Sequence, residues 1–578
     1  MAFENPRATP QVPAAAKSTS DPVILTRQTM RDGGSGSNTD IESSDPPRHT
    51  SHPRDDLASW RWKAMICGNM LLSAIGGYDT SNVANIQVPI YQAFGHIELL
   101  PWVSLTYALS SVAVIPLVRK VIGLCNLKIL ALVSCVLASA GSALAGAAPN
   151  LECVIVGRVL MAVGSVAIYQ TSLSYNVIFA YPSELALVQA LVGVFFALGL
   201  ISGPIIGGAF AENETATWRW AFFVVLPVTA LAAFLLLFYP PFRMPTTKST
   251  MTRVREVDWV GLVVWIGLFV LFGLGSISSG STWAWDSGPS ITVWVLFGVV
   301  LLVFVIQQRL NLFTVPERRA FPVFLLTKRV VALPSLCLMF TAIGYGTTLY
   351  YTPLYFAFTR GHDALGAALR LLPFIGIFIF MIFLSGGLLP VLRYYMPFYV
   401  AGAVFVLVGG GLQQTITPQT SEGTVMGFEA VVAAGFGLMW QTSLPILSIV
   451  LPPQERMDAV SLFAMAQLGG VSIGLALSGA VYQNVGFNLV KTAVADLGFS
   501  DHDIRELLSG ADSPILTAGN QDLLALVVAA ITKALLRCFY LTLSAGALCF
   551  IAACFMRFEA LNFKKAVPGS KSSPANEK

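Results

Sequence analysis

Asp79, Arg158, Arg370 and Glu429 are ionisable side chains inside stretches that are otherwise apolar. Charged groups in such positions are expensive, so each is a candidate for carrying or steadying a charge. Asp79 lies three residues before Asn82, beside a stripe of polar and small residues (Asn69, Ser73, Gly76, Thr80) at helical spacing. A carboxyl held out of water there is costly to ionise, so it can take a proton from one side and release it to the other. The competing explanation is a buried acid that caps or pairs locally. Arg158 keeps its proton, so its chemistry is to tune a nearby acid or hold a substrate oxygen; otherwise it snorkels to the headgroups. Glu429 and Arg370 are near the ends of their stretches, where an interfacial position competes with a role in proton coupling. Two polar groups complete the set. Tyr169, Gln170, Ser172, Tyr175 and Asn176, and Trp440, Gln441, Thr442 and Ser443, either line a substrate path with Asn82 or bond helix to helix.

Enzyme chemistry is missing from the same reading. No Gly-x-x-x-x-Gly-Lys-Ser/Thr run cradles the phosphates of ATP. The histidines are His49, His52, His96, His362 and His502; none falls in an apolar stretch or is spaced as a metal pair. The eight cysteines contain no Cys-x-x-Cys pair. No metal, no cofactor and no enzyme activity are implied, and any transport runs on an ion gradient.

The elements that position these groups are membrane helices. The chain has 578 residues, 55% of them hydrophobic and 11% charged, with a mean hydropathy of +0.70. Soluble domains carry about 25% charged residues, so this chain belongs in a bilayer. Its apolar runs are long and continuous, which selects helices over barrel strands. Fourteen candidates follow one another at 61–86, 99–117, 127–147, 153–178, 186–210, 220–239, 259–277, 291–307, 330–351, 365–389, 397–413, 425–450, 460–481 and 535–555. Lys and Arg concentrate in alternate loops: Arg119, Lys120 and Lys128; Arg243, Lys248, Arg253 and Arg255; Arg309, Arg318, Arg319, Lys328 and Arg329; then Arg393. This bias puts both termini in the cytosol. The net charge of +4 is a topology signal rather than a nucleic-acid footprint. The tail 1–58 is polar and expected to be disordered. The sequon at Asn213 falls in an outer loop and is a glycosylation candidate. Within the loop 487–524, the piece 501–508 alternates like a short amphipathic helix, and a passive connector is the favoured reading.

One run packs four glycines and a proline into an apolar stretch: Gly199-Leu200-Ile201-Ser202-Gly203-Pro204-Ile205-Ile206-Gly207-Gly208. Glycines let membrane helices approach closely. The run resembles the fifth-helix antiporter motif of the major facilitator superfamily. Further stretches resemble that superfamily's fourteen-span drug:proton antiporter branch, especially its fungal efflux members: Asp79-Thr80, Gly157-Arg158 with Gly164, Trp218-Arg219-Trp220, Trp283-Ala284-Trp285-Asp286-Ser287, Tyr350 to Phe356, and Gln467 with Gly469-Gly470 and Gln483-Asn484. The loop after the second helix departs from the pattern. Arg119 stands where that family has glycine and Gly123 where it has an acid, which puts the family's switching contact in question.

The resemblance implies an all-α polytopic membrane protein with two six-helix bundles, 59–240 and 330–556. A linker with two extra helices at 241–329, an outer loop at 482–534 and a cytosolic tail at 557–578 complete it. It also implies alternating access and export of small, largely apolar compounds (toxins, secondary metabolites or drugs) in exchange for protons. The expected location is the plasma membrane, with the vacuolar membrane as an alternative, and the expected working unit is a monomer. An iron-chelate transporter and a non-transporting sensor are the competing functions.

Overall fold

The structure is a computed structural model. It describes residues 52–562, apart from 83–85, 87–89, 91–92, 95–99, 212–214, 216, 244–249, 281–282, 316–318, 320, 363 and 509–520. Most of the N-terminal tail, the Asn213 sequon and the end of the C-terminal tail lie outside the described residues.

Fourteen long helices carry the chain: α1 Ser59–Ser81, α2 Leu100–Leu124, α3 Leu127–Gly146, α4 Leu151–Phe179, α5 Pro182–Ala211, α6 Trp220–Leu236, α7 Trp259–Ser278, α8 Gly288–Leu310, α9 Arg329–Arg360, α10 Leu372–Leu392, α11 Met396–Gln413, α12 Glu422–Val450, α13 Arg456–Ala493 and α14 Gln521–Cys554. Among the described residues, twelve are long and apolar enough to cross a membrane. The remaining two are α1, made more polar by its stripe, and the shorter α6. The face where α1 begins is called proximal below and the opposite face distal.

The two bundles repeat one packing plan. In the first, α1 runs along α5, α3 along α4, and α2 along α4; in the second, α9 runs along α13, α11 along α12, and α10 along α12. The seams are built from glycine. A Cβ at Gly199 would lie 2.0 Å from the Ala74 carbonyl oxygen, and one at Gly203 2.0 Å from Ser81 Oγ. In the second bundle a Cβ at Gly474 would lie 2.4 Å from the Ile343 carbonyl. Backbone therefore meets backbone at matching places in both halves, as small residues at a membrane-helix seam allow. The extra hairpin α7–α8 touches both halves. Trp265 Nε1 donates to the Val112 carbonyl of α2 at 3.2 Å, and Trp285 Nε1 donates to Asn484 Oδ1 of α13 at 2.6 Å.

Several helices outrun the expected spans: α9 by nine residues past 351, α13 by twelve past 481, and α14 starts fourteen before 535. Hydropathy marks only the bilayer-length part of a helix. The additional turns are amphipathic and bury their apolar faces on each other. The helix Asp501–Leu507 joins them, and Ile504, Leu507 and Leu508 pack with Val490, Val527 and Ile531. The segment expected to be a passive connector is a packed distal cap. The boundary of the expected disordered tail also moves. Residues 52–58 form a turn, with the Arg54 guanidinium 3.9 Å over the Trp62 ring and Tyr181 donating to Asp55.

Candidate functional site

The two bundles meet through α5 against α10 and α2 against α13. Their proximal halves are closed. Leu173, Val177, Leu185 and Val188 of the first bundle share a buried cluster with Leu338, Leu444, Val460 and Phe463 of the second. Beside that plug, Ser461 Oγ donates to Gln170 Oε1 at 3.0 Å and Tyr169 donates to Gln467 Oε1. At the proximal edge Arg119 Nε meets Asp458 Oδ1 at 2.6 Å. Arg119, which stands at the departure in the loop after the second helix, thus supplies an ion pair between the halves.

A cleft lies above the closure, between the bundles. Its wall is apolar and aromatic, with Tyr345 and Trp440 rings 4.4 Å apart on one side and Phe196 on the other. Trp440 and Gln441 reach it because α12 breaks at Gln441–Thr442. Pro445 has no N–H for the Gln441 carbonyl and its ring crowds it, so the helix yields four residues upstream. Tyr399 and Ser443 hydroxyls, 2.7 Å apart, hold the break.

Asp79 is 1% exposed and lies one layer behind the wall, next to Ser165 and Tyr107, which do line it. Arg158 is equally buried. Its Nη2 donates to the Asp79 carbonyl at 3.3 Å, its Nε donates to the Val103 carbonyl at 3.3 Å, and its guanidinium stacks 4.3 Å over the Tyr107 ring. Asp79 Oδ1 and Arg158 Nη1 have no hydrogen-bond partner. Arg158 is therefore bonded to the Asp79 main chain with its guanidinium near the carboxyl, and both side chains keep bonding capacity to spare beside the cleft.

The other candidates separate. Tyr169, Trp440 and Gln441 line the cleft. Gln170 ties α4 to Ile115 and Ser461, Tyr175 donates to the Pro240 carbonyl at 3.0 Å, and Asn176 accepts from Asn69 at 2.7 Å. Asn82 donates to the Ala221 carbonyl at 3.2 Å. These four face helix contacts rather than the cleft. Glu429 is not at an interface: it is 1% exposed inside the second bundle, away from the cleft, with Thr352 beside it. Arg370 is the interfacial one, bonded at 2.6 Å to Glu422, which also meets His362 at 2.7 Å. Gly199, Gly203 and Gly207 line the α1 seam, with Pro204 inside α5 and Gly208 half-buried beside it. Tyr107, Ser165, Phe196 and Tyr345 were not singled out from the sequence. Tyr345, the centre of an aromatic cluster, carried a signal in that it interrupts an apolar run between two glycines.

The profile of the Major Facilitator Superfamily matches residues 70–474. The chain belongs to that superfamily. It is a multi-pass membrane protein with a transporter fold. Among similar transporters, efflux pump DEP3 of Alternaria brassicicola is 31% identical over 497 residues, covering 86% of this chain and 87% of that protein. Efflux pump patC of Aspergillus clavatus is 31% identical over 501 residues, covering 86% and 90%. A bacterial homolog of the human lysosomal transporter Spinster, solved inward-facing and unoccupied, has a TM-score of 0.53 at 13% identity, covering 86% of this chain and 98% of that one, and so shares the fold.

Proposed function

We propose that this transporter exports small, largely apolar compounds such as toxins, secondary metabolites or drugs, in exchange for protons. The observation that carries the reading is a cleft closed on the proximal side, with a buried acid behind its wall and a guanidinium near that acid, bonded to its main chain. The loop charges make the proximal face cytosolic, so the described state faces outward. Proton arrival at Asp79 changes the charge facing Arg158. The Arg158 contacts to α1 and α2 then carry that change to the helices flanking the cleft. The plasma membrane is the proposed location, and the efflux pumps among its relatives support the direction. Export by area and aromatic contact suits an apolar wall with few directed bonds.

The cleft lining contains no Asp, Glu, Lys, Arg or His among the described residues. An anionic iron chelate would find no cation there, which weighs against that alternative. The Arg119–Asp458 contact supplies a proximal latch despite the altered loop, which weighs against a sensor that has lost its switch.

The test is a pair of cell lines, one expressing the protein and one expressing Asp79→Asn. Compounds extracted from cells and medium should differ between them, with export retained only in the first. Equal distributions in both lines and in cells lacking the protein would sink the reading.

A further inference from the structure

Three polar side chains in the cleft are buried yet incompletely bonded. Ser172 Oγ, Gln441 Oε1 and Gln467 Nε2 each lack a hydrogen-bond partner, and each residue is at most 5% exposed. All three line the cleft. Buried polar atoms in folded proteins are nearly always bonded, so such a group of open valences marks a place for water or a ligand. They are also fixed in place. Tyr169 donates to Gln467 Oε1, which leaves the amide nitrogen free to donate into the cleft. Ser172 follows Tyr169 by three residues on the same face of α4. Gly193 makes room for Gln441, because a Cβ there would lie 2.9 Å from Gln441 Cγ.

Ser172 and Gln467 are chain neighbours of Leu173 and Ala466 in the plug, and Gln441 lies between Trp440 and the plug residue Leu444 along α12, so the three are on the closed side of the Trp440–Tyr345 ring pair. We infer that Ser172, Gln441 and Gln467 are a polar floor that receives the oxygenated end of an uncharged flat ring compound, whose ring lies against Trp440 and Tyr345. An amide N–H asks for a carbonyl oxygen, an amide oxygen asks for a hydroxyl, and Ser172 serves either. A charged end is rejected, since no counter-charge lines the cleft and Arg158 is shielded behind Tyr107. The inference rests on the export reading for its biological meaning and on the cleft alone for its chemistry.

Three probes of one ring shape separate the terms: 2-(hydroxymethyl)anthraquinone, anthraquinone-2-sulfonate and anthracene. Binding to the purified full chain is read from ligand-dependent stabilisation against thermal unfolding. The neutral quinone should bind about ten-fold more tightly than either of the others, as directed bonds to otherwise unpaired groups predict. Gln467→Met, Ser172→Ala and Gln441→Met should each weaken the quinone roughly three- to ten-fold and leave anthracene unchanged. Three variants on different helices guard against one that fails to fold. Equal binding of the sulfonate or of anthracene, no binding of the quinone, or unaltered quinone binding in all folded variants would overturn the floor. Flux of the quinone in vesicles under a pH gradient separates the two readings. Binding without movement removes export and keeps the floor; movement indifferent to the variants keeps export and removes the floor.

Discussion

Each bundle buries one carboxyl to the same 1% exposure and leaves one of its oxygens unbonded, yet the two settings have little else in common. Asp79 has a guanidinium at hand, a phenol and a hydroxyl between it and the cleft, and helices α2 and α4 tied to it through Arg158. Glu429 has a threonine and an apolar cluster containing Tyr351, Phe356 and Val425. A charge on Asp79 has a cation near it, and among the described residues one on Glu429 does not. On the proposed reading, burial alone does not mark a coupling site; what marks Asp79 is a counter-charge near it and a cleft in front of it.

The sharpest test of that contrast is Asp79→Asn, which keeps the shape and removes the exchangeable charge. Proton-driven flux in reconstituted vesicles should fall by roughly 100-fold or more, and its dependence on pH should vanish while the probe still binds. Flux within a few-fold of the parent would end the assignment of Asp79. Removing the counter-charge should be costly in another way. Arg158→Leu leaves Asp79 buried without a cation and is expected to destabilise by about 3–5 kcal/mol, with much of the loss recovered in the double variant Asp79→Asn/Arg158→Leu. Thermal unfolding measures both, and additive losses would show that the two residues do not act together.

The glycine seams allow a comparison of the halves themselves. Gly199→Ala drives a methyl into the Ala74 carbonyl, and Gly474→Ala does the same at Ile343. Each should cost about 1–3 kcal/mol of stability through overpacking. If the seam next to Asp79 moves during transport and its counterpart does not, Gly199→Ala slows flux more than Gly474→Ala at equal stability. Equal slowing would make the seams purely structural.

The fold was legible in the sequence because length, hydropathy and loop charge are local quantities. The α12 break was also there to be read: Pro445 stands four residues after Gln441, and this spacing brings Trp440 and Gln441 into the cleft. The site was legible only in parts. Asp79 and Arg158 stood out singly by their cost in lipid. Their meeting, and the choice of Tyr107 and Ser165 as the layer between them and the cleft, depend on how α1, α2 and α4 are rotated against one another. Gln170 and Asn176 look like Tyr169 in sequence. They differ because helical phase turns Gln170 toward α2 and the closed contact with α13, and Asn176 toward α1, rather than into the cleft. Gln467 was a family marker without a role until the α4–α13 register set it opposite Tyr169. The distance of Glu429 from its helix end favours an interfacial position in the sequence, but α9 extends past its expected span and sets Thr352 beside Glu429, which is buried.

The proximal latch tests whether the altered loop still serves a switch. Arg119 is 8% exposed and Asp458 more open, so their contact is worth about 1–2 kcal/mol, between the surface and buried limits. Arg119→Ala should shift the resting population toward the state open at the proximal face by roughly five- to thirty-fold. A reporter made by Ala466→Cys, buried in the plug, reads this as faster labelling once the exposed Cys67, Cys125 and Cys554 are removed. Unchanged labelling would mean that the apolar plug, and not the ion pair, holds the halves shut.

The smallest expected effect is the other arm of the opening contrast. Glu429→Gln replaces a carboxyl that has no cation to answer with an amide of the same shape. The new group keeps an acceptor for the Thr352 hydroxyl and adds a donor, so stability should stay within about 0.5 kcal/mol. Because Glu429 neither lines the cleft nor touches a charged group on the helices that do, flux and its pH dependence should remain within about two-fold of the parent, since a change must alter contacts that differ between states in order to shift them. If Glu429→Gln stops proton-driven flux as Asp79→Asn is expected to, then a counter-charge is not what distinguishes a coupling acid in this fold. The second bundle would then carry a proton of its own, bound by an acid beside the Thr352 hydroxyl, and the count of protons per cycle would rise accordingly.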